Sequence, residues 1–138
     1  MIKNISNLGD AAIYCDFGSD VNKEINKEVI KCFKTLASKN IKGITNLAPS
    51  YNKLIITFDL DVTTYKELRE KILNIKLDGI NETVSEKKII PICIDEEFAL
   101  DIERVSKNTN LNIKEIYNHI LNKDFYCYMT GFVAGMPF

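Results

Sequence analysis

The sequence has no tryptophan, one histidine and only two arginines, Arg69 and Arg104. His119 is the sole imidazole, and Cys15, Cys32, Cys93 and Cys127 are scattered without a CxxC pair. This scatter and the single imidazole lack the spacing of the usual zinc motifs, and no metal is expected. No apolar run approaches the about 18 residues of a membrane span. The opening MIKNISNLGDAAIY carries polar residues where a signal peptide needs its apolar stretch. A cytoplasmic protein without a membrane partner is therefore expected. The net charge of −1 offers no excess of either sign, so no nucleic-acid partner is expected either. Neither GxSxG nor GK[ST] occurs, which removes the nucleophile elbow around Ser6, Ser19, Ser38, Ser50, Ser85 or Ser106, and the phosphate loop.

What remains is an ordinary globular balance, 46% hydrophobic and 27% charged over 138 residues. That is enough for one domain with its own core, or one domain and part of another. Lysine, isoleucine and asparagine are abundant, which reads as compositional bias and gives a single Lys or Asn little functional weight. The four cysteines read as reduced core thiols, Cys32 on an apolar helix face and the other three in strands.

Ile2–Ser6 is a short alternating segment, and Ala11–Gly18 reads as a buried strand ending at glycine. Asp20 is placed to cap a helix with an apolar stripe of Val21, Ile25, Val29, Ile30, Phe33, Leu36 and Ala37, ended by Asn40 and Gly43. Ile44–Ala48 and Lys53–Phe58 read as strands around the turn PSYN. Thr63 or Thr64 caps a second helix, with Tyr65, Leu68, Ile72 and Ile75 on one face. After the polar KLDGINETVSEK, Lys87–Asp95 is strand-like, with Pro91 favouring an edge or a bulge. The order β-α-β-β-α-β predicts an α+β domain over residues 1–94. It is a split βαβ, ferredoxin-like antiparallel sheet with two helices on one face. Residues 95–138 then hold two short linker helices, the second starting near Leu111 or Asn112, and a final alternating strand in DFYCYMTGF.

Four stretches carry a family resemblance: LGDAAIYCDFG, GITNLAPSYNKLIITFD, KKIIPICIDEEFALDIERVSKNTNLNIKEIYNHI and FYCYMTGFVAGMPF. In this order and spacing they resemble the bacterial family that holds the B-type subunit of 5-oxoprolinase, the KipI kinase inhibitor and allophanate hydrolase subunit 1. The resemblance spans essentially the whole chain. Ala134 stands where the family usually has proline and Met136 where it has phenylalanine, and CIDEEFALD lacks the glycines and proline usual there.

The resemblance implies that Tyr126–Phe138 begins a truncated cyclophilin-like β-barrel, whose first strand, Tyr126–Phe132, should be poorly ordered, domain-swapped or added to another sheet edge. It also implies a non-autonomous subunit of an ATP-dependent 5-oxoprolinase, which opens 5-oxo-L-proline to L-glutamate with ATP hydrolysed in the complex. Two 5-oxoprolinase partners are implied, the C-type subunit (a second cyclophilin-like chain) and the A-type subunit of the LamB/YcsF family. The alternatives are an inhibitor of a sensor histidine kinase, or one component of an amide hydrolase acting on allophanate.

The candidate site residues each have two readings. His119 is an acid–base candidate, or a helix-terminal histidine facing the last carbonyls. Gly131, Phe132, Gly135, Pro137 and Phe138 form a pocket-lining loop, where glycines let a partner approach closely, or a plain turn. Tyr51, at the tip of APSYNKL, is an interface anchor or hairpin packing. Asp95, Glu96, Glu97 and Asp101 are a carboxylate cluster able to attract a cation, or a solvated helix start.

Overall fold

The computed structural model describes residues 1–76 and 86–138. Most of the polar stretch KLDGINETVSEK, residues 77–85 with Ser85, lies outside them. The chain divides into two compact units: Met1–Thr83 with Tyr126–Phe138, and Val84–Phe125.

The first unit is built on four strands, β1 (Asn4–Asn7), β2 (Ala12–Asp16), β3 (Ile44–Pro49) and β4 (Lys53–Phe58), and two helices, α1 (Lys23–Lys39) and α2 (Tyr65–Leu73). The strands form one antiparallel sheet in the order β1-β2-β4-β3. β4 separates β2 from β3, so β2-α1-β3 is the split βαβ unit that the alternation predicted. Period-2 patterning sends Ile13, Cys15, Leu54, Ile56 and Phe58 to one face, where they pack with Val29, Cys32 and Leu36 of α1 and Leu68 and Ile72 of α2. Each fully buried aliphatic side chain here contributes about 1.5–3 kcal/mol relative to exposure.

Among the described residues the last strand of a ferredoxin-like second half is not found. Lys87–Asp95, expected as that strand, have neither strand nor helix and are exposed. The place beside β2 belongs to β1, tied by Lys3 N–H to Asp16 O (2.7 Å) and Leu8 N–H to Ala12 O (2.9 Å). A strand contiguous in sequence closes a far shorter loop than one eighty residues on, which favours the local hairpin.

Local chemistry sets the helix ends. Asn22, not Asp20, caps α1, its Oδ1 accepting from Ile25 N–H at 2.9 Å. Asn52, in the turn before β4, donates through Nδ2 to Gly18 O (2.9 Å) and Asp20 O (3.2 Å) and so ties down the loop ahead of the helix, where Val21 is exposed. Asn40 ends α1 in the left-handed region. Thr64 and Glu67 make a reciprocal capping box at α2. Between α1 and β3, Gly43 has φ +97°, and a Cβ there would lie 2.7 Å from Thr63 Cγ2, so only glycine fits this turn.

In the second unit, a 3₁₀ turn (Glu96–Phe98) precedes α3 (Ile102–Thr109) and α4 (Ile113–Leu121). Asn110, left-handed at φ 57°, ends α3, and Asn112 with Glu115 forms a second capping box at α4. Ser106 Oγ donates to Leu111 O at 2.6 Å and closes the helical hairpin. Tyr117 Oη donates to Ile94 O at 3.2 Å, and Lys87 pairs with Asp124 at 2.7 Å.

Candidate functional site

The polar node of the first unit is Asn26, an α1 residue 1% exposed. It sits on the helix's apolar stripe, three residues before Val29 and ten before Leu36, so the helix turns it inward by periodicity alone. A buried amide must be satisfied. Its Nδ2 donates to Ser50 O (3.1 Å), Tyr51 O (3.0 Å) and Tyr128 O (3.1 Å), and its Oδ1 accepts from Tyr126 Oη at 3.1 Å. One side chain therefore joins α1, the β3–β4 turn and the C-terminal segment.

Aromatic contacts reinforce this joint. Tyr51 and Tyr128 have ring centroids 5.6 Å apart at 41°, and Tyr126 meets Tyr128 edge-on at 4.7 Å and 69°. Lys23 Nζ lies 5.2 Å from the Tyr126 ring centroid, a cation–π distance. Partial burial, followed by the neighbouring Tyr128, pushes the Tyr126 phenol above its ordinary value. Ser50 Oγ donates to Met129 Sδ at 3.3 Å.

Beyond the joint the chain turns back on itself. Tyr128 N–H donates to Phe138 O (2.6 Å), Phe138 N–H to Met129 O (2.9 Å) and Gly131 N–H to Met136 O (3.0 Å), with one bridge, Thr130 to Pro137. The strand expected over Tyr126–Phe132 is absent, and it does not extend the β1–β4 ladder. Two glycines and a proline within seven residues supply the turn instead. Gly135 has φ +81°, and Phe132, 95% exposed, is itself left-handed at φ 60°. A non-glycine residue held there costs about 1–2 kcal/mol, and this one presents an aromatic ring to solvent.

The structure thus brings Tyr51 together with the segment that carries Gly131, Phe132, Gly135, Pro137 and Phe138. His119 belongs to the other unit, exposed in the last turn of α4, beside a groove of ≈ 470 Å³ that Val105, Leu111, Ile116 and Phe125 also line. Asp101 pairs with Arg104 (2.8 Å), whose guanidinium holds the carboxyl below its usual range. Among the described residues no group of three His, Cys, Asp or Glu side chains could hold a metal ion, and no helix is long and apolar enough to cross a membrane.

The cysteine reading divides. Cys15 and Cys32 are core thiols, pushed by burial up to about 12 and about 11. Cys93 and Cys127 are exposed and outside any strand, because neither of their segments forms a ladder. Reading residues singly also missed Asn26, Tyr126 and Tyr128. The available signal was a polar residue on an otherwise apolar helical stripe.

With no charged acid–base pair at this joint, its chemistry is that of a fixed aromatic surface and a presented turn. Residues 3–138 match the sequence profile of the carboxyltransferase domain, subdomain C and D. The chain belongs to this family. Among curated proteins it is similar to the B-type subunit of 5-oxoprolinase from Bacillus subtilis (strain 168), 28% identical over 97% of the chain and 61% of that protein. The sequence resemblance to that protein's family is thereby borne out. The chain spans about three fifths of the length of this curated relative.

Solved structures share the fold of this carboxyltransferase-family chain. TTHA0988 matches with TM-score 0.69 at 19% identity, over 88% of this chain and 24% of its own. The urea amidolyase of K. lactis matches with TM-score 0.64 at 14% identity, over 96% of this chain and 9% of its own.

Proposed function

We propose that this chain serves as a non-autonomous subunit of an ATP-dependent 5-oxoprolinase, acting in a complex that opens the lactam of 5-oxo-L-proline to L-glutamate. The observation that carries the reading is the 28% identity to the B-type 5-oxoprolinase subunit over 97% of the chain. The lactam amide is resonance-stabilised. ATP, used at the level of the complex, would phosphorylate the carbonyl oxygen and give water a better electrophile. The joint at Asn26 suits such a role, because it anchors a turn whose exposed Phe132 ring is available to a neighbour. The partners on this reading are the LamB/YcsF-family (A-type) and second cyclophilin-like (C-type) 5-oxoprolinase chains, and the complex is cytoplasmic. A cyclophilin-like barrel entered through Tyr126–Phe138 belongs to the same proposal, supported by the sequence resemblance alone. Catalytic groups would then lie largely on the partners, with His119 the acid–base candidate this chain could offer.

The test is co-expression of the full product of the gene with its genome's A-type and C-type chains, followed by an assay of glutamate release from 5-oxoproline with and without ATP. ATP-dependent release that disappears when this chain is omitted is the expected result. A folded, associated three-component complex that releases no glutamate would sink the proposal.

A further inference from the structure

We draw no further inference here: the strongest candidate, the groove of ≈ 390 Å³ that Phe33, Ile41, Ile44 and Leu47 line between α1 and β3, is an apolar face for which nothing in the structure shows what covers it.

Discussion

Replacing Asn26 by aspartate changes one atom's chemistry at almost constant shape. The amide nitrogen that donates to Ser50 O, Tyr51 O and Tyr128 O becomes an oxygen facing three carbonyls. The two amide hydrogens that these three carbonyls share are worth about 1 kcal/mol each, about 2 kcal/mol together. An uncompensated buried charge brings the loss at neutral pH to about 3–5 kcal/mol. Burial and the facing carbonyls raise the new carboxyl's folded pKa above its unfolded value of about 3.9. The sign follows: relative to wild type, the variant is least impaired below pH 4 and loses stability as pH rises through the raised pKa. Urea unfolding from pH 3.5 to 8, followed by tyrosine fluorescence, measures the difference. Hydrogen exchange at the Phe138 and Gly131 amides reports the release of the C-terminal turn. A loss below about 1 kcal/mol at pH 7, or unchanged exchange in the turn, would refute the assignment of Asn26 as its anchor.

Two other outcomes follow from the same structure. Asp16 is held below the usual carboxylate range, first by the hydrogen bond from Lys53 Nζ and then by Gly18 N–H. This stabilisation is present above the unfolded pKa and lost as pH falls through the folded one. Lys53→Met should therefore raise the Asp16 pKa, read by NMR, and flatten the acid limb of the stability profile. A disulfide-exchange reagent at pH 8 should titrate Cys93 and Cys127 rapidly, while Cys15 and Cys32, with pKa values near 12 and 11, react only on unfolding; four fast thiols would contradict the buried assignment.

Much of the first unit was legible because its signals are local. Alternation marked β2 and β4, the 3.6-residue stripe marked α1 and α2, and PSYN marked the turn. The caps were narrowed to Thr63 or Thr64 and to Leu111 or Asn112, and the reciprocal bonds with Glu67 and Glu115 decide for Thr64 and Asn112. Lys87–Asp95 was misread because isoleucine content reports strand propensity but not whether a sheet edge is vacant, and β1 already stood beside β2. The final aromatic alternation failed similarly, since Gly131, Gly135 and Pro137 reverse the chain before a ladder can grow. Asn26 was discounted among many asparagines. Composition dilutes a residue's weight, whereas position on the apolar face decides its role. Tyr51 was singled out as an anchor, but its partners Tyr126 and Tyr128 lie some seventy-five residues away, beyond any local pattern.

The bond from Asn26 to Tyr128 spans 102 positions, and this gives the molecule an order of events during its synthesis. The ribosome delivers α1, the PSYN turn and β4 long before Tyr126. Asn26 can then engage only Ser50 O and Tyr51 O, and its carbonyl oxygen is left to water. The sheet must collapse around an asparagine that is only partly satisfied, and residues that emerge much later complete its hydrogen bonding. Closure of this distant contact is the step that distinguishes the nascent sheet from the finished one.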